Sequence, residues 1–121
     1  MAEATALEPI CEVVVTGPRT SLMQQMAEDL VNERLVACAQ RVDPIRSTFR
    51  WNGGVDHQVE ERVCFHTRAS LVPVIVLRVK ALHPYDVPCV LAFPVMAVNP
   101  AYHAWVITET AEADTDPTGP A

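Results

Sequence analysis

Residues 42–67 read VDPIRSTFRWNGGVDHQVEERVCFHT, and this segment decides the fold. At its centre is Asn52-Gly53-Gly54, and Asn and Gly tolerate the positive φ angles that a tight hairpin turn requires. Residues 42–51 alternate loosely between polar side chains and aromatic or β-branched ones. Residues 58–67 alternate more regularly between apolar and charged side chains. The segment therefore predicts a long β-hairpin.

A buried strand and an amphipathic helix are predicted upstream of the hairpin. Residues 10–16 are rich in β-branched side chains and are followed by Gly17-Pro18, which is typical of a strand that ends there. From Thr20 to Leu35 apolar residues recur at helical spacing, and polar residues occupy the opposite face. Either Thr20 or Ser21 is suited to cap this helix, because both hydroxyls can accept a free backbone N–H of the first turn.

A second helix and a fourth strand are predicted downstream of the hairpin. Ser70 is suited to cap the helix, and Pro73 is tolerated in its first turn because the N–H that proline lacks would be unpaired there. The prolines of residues 83–88 keep that segment out of helix, and residues 89–93 predict a short buried strand. Asn99-Pro100 opens a further short helix.

The order strand, helix, strand, strand, helix, strand predicts an α+β fold. The expected architecture is a split βαββαβ sandwich, in which a four-stranded antiparallel sheet carries two helices on one face. We expect one domain over residues 10–107, a flexible arm at residues 1–9 and a disordered acidic tail at residues 108–121.

One face of this sheet has no cover in the predicted fold. The apolar residues of the two central strands are not all expected to point at the helices; they are Val13, Val15, Val63 and Phe65. Apolar surface should therefore remain exposed, and in a chain of 121 residues the natural cover is another copy of the same chain.

The charge distribution argues against several classes of function. The net charge is −6, but the excess acids lie near the two termini, so residues 10–107 are formally neutral. A neutral body whose only lysine is Lys80 offers no basic surface for nucleic acid. No apolar run approaches the roughly 18 residues that span a bilayer, and the N-terminus does not resemble a signal peptide. We expect neither nucleic-acid binding nor membrane insertion.

The cysteines predict a reducing compartment. Cys11, Cys38, Cys64 and Cys89 are too widely spaced for a C-x-x-C pair or a zinc knuckle. Three of them lie in apolar segments, where cysteine behaves as a small hydrophobic residue. Reduced thiols and a cytoplasmic location are therefore expected.

Several stretches together resemble the CutA family, which is named for divalent-cation tolerance. They are LVACA at residues 35–39, FRWNG at 49–53, HPYDVP at 83–88 and NPAYHAW at 99–105. The resemblance implies a ferredoxin-like protomer in a tight homotrimer, whose long hairpins reach across to neighbouring subunits. It also implies an architecture similar to that of PII-type signalling trimers, an association with copper and other divalent metals, and no settled enzymatic activity.

Two departures from the family pattern concern ligands. His66 stands where many relatives carry Lys, and the acidic stretch that usually follows the hairpin turn is reduced to Asp56, Glu60 and Glu61. If the relatives use either feature to bind a ligand, this chain should bind a different ligand or bind it more weakly.

The metal hypothesis rests on Cys38 and His83, which the resemblance places at family positions. Copper-like ions prefer thiolate and imidazole ligands, and no cofactor is expected beyond copper or another divalent metal. The alternative interpretation is that Cys38 packs in the core and that His83 caps the C-terminus of a helix, where a cation is favoured.

A second predicted site is a pocket at a subunit boundary. Besides His83, it is expected to combine aromatic and charged side chains, namely Arg50, Trp51, Glu60, Glu61, Tyr85, Tyr102 and Trp105. The alternative is that the aromatic residues only pack at the interface, where Tyr and Trp are common.

The chain is not expected to be an enzyme. It has no nucleophile elbow, Gly-rich phosphate loop or paired-carboxylate spacing. Two functions remain. The first is a trimeric cytoplasmic protein that responds to divalent metal ions and binds copper-like ions. The second is a PII-like trimeric signalling or adaptor module that binds a small anionic metabolite or a partner protein at subunit interfaces.

Overall fold

The computed structural model of the protein describes residues 8–113 and confirms the predicted order of elements. The strands are β1 (Ile10–Pro18), β2 (Cys38–Trp51), β3 (Gly54–Arg68) and β4 (Val90–Pro94). The helices are α1 (Ser21–Asn32), α2 (Val72–Leu82) and α3 (Pro100–Glu109). The strands form one antiparallel sheet in the order β2-β3-β1-β4, so the predicted α+β, ferredoxin-like fold is confirmed.

The register of the central strands places their largest apolar residues on one face. Val13 lies opposite Phe65 and Val15 lies opposite Val63, and residues two apart on a strand share a face. All four side chains are completely buried in the core that the sheet forms with α1 and α2. The expectation that they cannot all face the helices is wrong, because the register aligns them. Each buried side chain contributes about 1.5–3 kcal/mol.

The other face of the sheet, which we call the open face, carries exposed apolar side chains. The pairing places Leu91 and Phe93 of β4 there, beside Val14 and Glu12 of β1. Leu91 and Phe93 each expose 50% of their surface, and Val42 of β2 exposes nearly as much. Exposed apolar side chains on one face of a sheet make that face a candidate interaction surface.

The hairpin is confirmed and is longer than predicted. Asn52 (φ 50°) and Gly53 (φ 79°) provide the positive φ angles of its turn. β3 begins at Gly54, four residues before the expected start. The ladder shifts register beside Pro44, which has no N–H to donate. Residues 54–59 of β3 pair with β2 and not with β1, so the outer part of the hairpin extends past the sheet.

The boundaries of α1 differ from the predicted ones in detail. Thr20 is the N-cap, because its Oγ1 accepts a hydrogen bond from the N–H of Leu22 at 3.3 Å. The helix ends at Asn32, three residues before Leu35. Arg34 adopts a φ of 59° there, and this left-handed conformation stops the helix.

Glu8 and Arg68 hold both ends of the described chain against β3. The hydroxyl of Ser70 does not cap α2 as expected and donates instead to Glu8 Oε1 at 2.6 Å. Arg68 donates to the other oxygen of Glu8 at 3.1 Å and to the Thr110 carbonyl at 2.9 Å. Thr110 is buried by this contact.

The C-terminal helix extends past the boundary expected at residue 107. α3 continues to Glu109, and the N–H of Ala111 donates to the carbonyl of Arg34 at 2.8 Å. The remainder of the expected arm and tail, residues 1–7 and 114–121, lies outside the described residues. No helix among the described residues has the length and hydropathy needed to cross a bilayer.

The Gly17→Ala substitution should destabilise the fold. A Cβ atom at Gly17 would lie 2.5 Å from Met23 Sδ and 2.9 Å from His83 Nε2, and both of these side chains are buried. Overpacking of this kind costs about 1–3 kcal/mol. Urea denaturation at a fixed protein concentration measures the fall in the free energy of unfolding.

The matched control is Gly54→Ala, because a Cβ there meets no atom within 4 Å. Equal free energies of unfolding for the two variants would contradict the close packing at Gly17.

Candidate functional site

The structure does not bring Cys38 and His83 together. Cys38 begins β2 and lies opposite His66 of β3, which lies opposite Glu12 of β1. The ring of His83 contacts the carbonyl oxygen of Thr16. Glu12 and Thr16 are four residues apart on β1, which corresponds to about 13 Å along a strand. The two predicted metal ligands therefore lie beside different parts of β1, with Cys38 in the sheet and His83 at the end of α2.

Both ring nitrogens of His83 are bonded to the backbone. Nδ1 accepts a hydrogen bond from the N–H of Tyr85 at 3.1 Å, and Nε2 donates to the Thr16 carbonyl at 2.8 Å. These partners define a neutral ring whose single lone pair is already in use. His83 is 7% exposed and is the C-cap residue of α2. In this arrangement His83 joins the end of α2 to β1 and offers no nitrogen to a metal ion.

Cys38 belongs instead to a cluster with Glu12, His66 and Tyr102, which we call the His66 cluster. Cys38 Sγ lies 3.4 Å from His66 Nδ1 and 3.3 Å from the Tyr102 hydroxyl oxygen. That oxygen lies 2.5 Å from Nδ1, and Nε2 lies 2.9 Å from Glu12 Oε2. Glu12 on β1 and Cys38 on β2 each pair with His66 on β3. Helix α3 places Tyr102 against these three residues.

The contact with Glu12 selects one tautomer of the neutral His66 ring. In that tautomer the carboxylate of Glu12 accepts from Nε2, and Nδ1 presents its lone pair towards Cys38 and Tyr102. Burial, followed by the contact with Cys38, raises the pKa of Tyr102 well above its ordinary value. The phenol therefore stays protonated at neutral pH and donates to Nδ1. A histidine oriented by a carboxylate in this way is a common metal ligand.

The donor set of the His66 cluster is small. Across residues 8–113, no three His, Cys, Asp or Glu side chains are grouped so as to hold a metal ion. Glu12 contacts Nε2, which is the outer nitrogen of the His66 ring, whereas Cys38 faces Nδ1. Cys38 and His66 are therefore the two metal-ligating groups that face a common point.

Sequence reasoning missed Glu12 and did not include His66 in a site. In the sequence, residue 66 stands out as a departure from the family pattern. The alternation of β3 does place His66 on the face opposite Val63 and Phe65. Its pairing with Glu12, 54 positions away, depends on the register between β1 and β3, which the sequence pattern does not determine.

A groove of about 500 Å³ lies between the hairpin and the loop that follows α2. It includes three residues of the predicted pocket, namely Trp51, Glu60 and Tyr85. The hydroxyl of Tyr85 donates to Glu60 Oε2 at 2.8 Å. The residues that line the groove are Thr16, Ser47, Phe49, Trp51, Asp56, Gln58, Glu60, Tyr85, Asp86, Val87 and Cys89.

The groove is acidic and partly aromatic. Asp56, Glu60 and Asp86 line it, and none of the described residues in its wall is Lys, Arg or His. The rings of Trp51 and Tyr85 add aromatic faces, which attract cations. Burial and the hydrogen bond to Glu60 raise the pKa of Tyr85 to about 12, so its hydroxyl remains a donor. This lining favours a cationic ligand over the anionic metabolite expected from the sequence.

The other five predicted pocket residues lie outside the groove lining, and His83, described above, is one of them. Glu61 is 1% exposed and accepts two hydrogen bonds of 2.9 Å from Arg41. Arg50 is exposed near the hairpin turn. Tyr102 and Trp105 pack against each other on α3, with ring centroids 5.5 Å apart.

Comparison with known proteins finds relatives that belong to one family. A family model described as CutA1 divalent ion tolerance protein matches residues 11–109. The chain is 34% identical to chloroplastic CutA 1 of Oryza sativa subsp. japonica, over 93% of this chain and 64% of that protein. It is 37% identical to the divalent-cation tolerance protein CutA of Thermus thermophilus, over 81% of this chain and 95% of that one.

Solved structures agree with these matches. The crystal structure of CutA1 from Oryza sativa superposes with a TM-score of 0.86 at 36% identity and covers 88% of this chain and 98% of that one. The chain spans 55–64% of the length of the first plant and mammalian relatives that it matches.

The Tyr85→Phe substitution should lower stability, because it removes a hydrogen-bond donor from the buried carboxylate of Glu60. Leaving such an acceptor without its partner costs about 1–3 kcal/mol. The pKa of Tyr85 rises from 10 in the unfolded chain to about 12 in the fold. The stabilisation by the protonated phenol is therefore complete below pH 10 and is lost as the pH rises through 10–12.

Urea denaturation at pH 7 and between pH 10 and 12 measures both effects. Ser47→Ala removes a different hydroxyl from the same groove and serves as the control. A Tyr85→Phe variant with wild-type stability at pH 7 and an unchanged alkaline decline would contradict the role of this hydrogen bond.

Proposed function

Because the chain belongs to the CutA1 divalent ion tolerance family, we propose that it acts in the cellular response to divalent metal ions as a homotrimer that binds copper-like ions. Its relatives are named as tolerance proteins and not as enzymes, and we propose no catalytic role. The cysteines are free thiols, which supports a reducing, cytoplasmic location.

The observation that carries this proposal is the apolar open face. Leu91, Phe93 and Val42 are about half exposed in the single chain, and they lie on the two edge strands of the sheet, β4 and β2. Homo-oligomers with closed symmetry bury such surfaces between copies of the chain. Three copies, each presenting its open face inwards, would cover these side chains.

The hairpin supports the same assembly. Its outer residues extend past β1, and Trp51 is 55% exposed near its turn. A ribbon that projects in this way can reach a neighbouring copy, and Trp is a frequent anchor in interfaces. The groove beside Tyr85 would then lie at a boundary between subunits.

Native mass spectrometry tests the assembly and the metal together. The wild-type protein should appear as a species of about 40 kDa, three times the 13.3 kDa chain, and should take up three Cu(II) ions at low concentration. Leu91→Glu should release monomers, because it places a charge on the open face. Leu77→Glu is the matched control, since Leu77 is 71% exposed on α2 and faces away from the sheet core.

A wild-type monomer, or two variants that behave alike, would overturn the proposed assembly. A trimer that carries no copper until gross excess would overturn the metal response and leave the assembly intact.

A second candidate function is a signalling or adaptor module that binds a small cationic molecule in the groove. The specific observation in its favour is the acidic and aromatic lining of a volume typical of ligand sites. The acidic lining sets it apart from a module for anionic metabolites.

Thermal unfolding tests this second candidate. An organic diamine such as putrescine, at about 100 times its dissociation constant, should stabilise the fold by about 2.7 kcal/mol, whereas succinate should not. Glu60→Gln should abolish the rise in Tm, and Glu28→Gln, an exposed residue of α1, should keep it. Equal shifts with the diamine and the diacid would contradict a cation-selective groove.

A further inference from the structure

We propose that Cys38 and His66 form a binding site for a thiophilic divalent ion such as Cu(II) or Zn(II), with Glu12 as the residue that positions His66. This inference rests on the proposed metal response, and it replaces His83 by His66 as the imidazole ligand. The site lies on the open face, where β1, β2 and β3 meet α3.

The spacing of the two donors fits a metal ion. Zinc–sulfur and zinc–nitrogen bonds of about 2.3 and 2.0–2.1 Å, at a near-tetrahedral angle, place the two donor atoms roughly 3.3–3.6 Å apart. Cys38 Sγ and His66 Nδ1 are 3.4 Å apart. An ion can therefore bridge them with little movement of either strand.

The protons can be accounted for atom by atom. The ion takes the lone pair of His66 Nδ1, which is available because Glu12 holds the ring proton on Nε2. The Cys38 thiol loses its proton to water, as metal–thiolate bonds require. Tyr102 gives up its hydrogen bond to Nδ1 and donates to the new thiolate, 3.3 Å away. Water fills the remaining positions of the ion.

The charges also match. A thiolate at Cys38 and the carboxylate of Glu12 together offset the two positive charges of the ion. No Lys or Arg takes part in the described hydrogen bonds of the His66 cluster. The side chains of Glu12 and His66 are 40% and 18% exposed in the single chain, so an ion can reach them before assembly.

Residue 66 decides whether the site can bind a metal ion. A lysine at this position has three N–H donors at neutral pH and no lone pair for a metal. A His66→Lys variant keeps an N–H donor for Glu12 and should therefore fold and assemble while losing the ligand.

The experiment uses Co(II) as a spectroscopic probe on the full chain. The wild-type protein should bind one Co(II) per chain and show a thiolate-to-cobalt charge-transfer band. Cys38→Ser and His66→Lys should each lose the band. Glu12→Gln should keep it but bind about 10–100-fold more weakly, as expected for a residue that orients a ligand. Glu12→Asp should restore part of that affinity.

Two control variants separate the site from the fold. Cys64→Ser removes a thiol from the same face of β3, and His57→Gln removes an exposed imidazole from the hairpin. Both should bind Co(II) with the wild-type band. Native mass spectrometry of every variant reports the assembly independently of the ion.

The outcomes distinguish this inference from the proposed function. A wild-type protein that binds neither Co(II) nor Cu(II) would overturn both. A wild-type protein that binds these ions, with Cys38→Ser and His66→Lys variants that retain the charge-transfer band, would overturn the Cys38–His66 site alone. Loss of the band in those two variants, with assembly preserved and both controls unaffected, would establish the site.

Discussion

The antiparallel pairing of β1 with β3 is the constraint on which the rest of the structure depends. It aligns Val13 with Phe65 and Val15 with Val63, which fills the core beneath the helices. The same pairing aligns Glu12 with His66 on the opposite face. A shift of one residue would exchange the two faces of β3. Core packing therefore holds the His66 cluster in position, although no cluster residue belongs to the core.

A second constraint is the contact between α2 and β1 at His83. The ring bonds to the Thr16 carbonyl and to the N–H of Tyr85, and Gly17 leaves the space that the ring needs. This contact determines the path of the loop after α2, and that loop provides one wall of the groove. A histidine that looked like a ligand in the sequence is thus a structural residue, and its effect on the groove is indirect.

Most of the fold was predictable from local sequence, whereas most of the site was not. Asn52 and Gly53 indicated the hairpin because their conformational preference acts within the turn itself. The helical spacing of apolar residues that indicated α1 also depends only on residues within the helix. Glu12 and His66, by contrast, meet through a strand register that residue patterns leave open. The sequence left His83 open between a metal ligand and a helix C-cap, because its partners in the structure are backbone atoms, which a residue pattern does not reveal. Trp51, Glu60 and Tyr85 line one groove in the structure, since the long hairpin brings Trp51 and Glu60 near the loop after α2.

The outer hairpin has a consequence for the order of events in folding. Residues 54–59 pair with β2 and not with β1, and Val55 exposes 61% of its surface. A two-stranded ribbon without further contacts is marginally stable in water. The sheet core can form within one chain, whereas in the proposed trimer the ribbon would become rigid only when another chain packs against it. The ordering of the ribbon in that assembly should therefore follow concentration-dependent kinetics, and a dilute, newly synthesised chain should expose a frayed ribbon to chaperones and proteases.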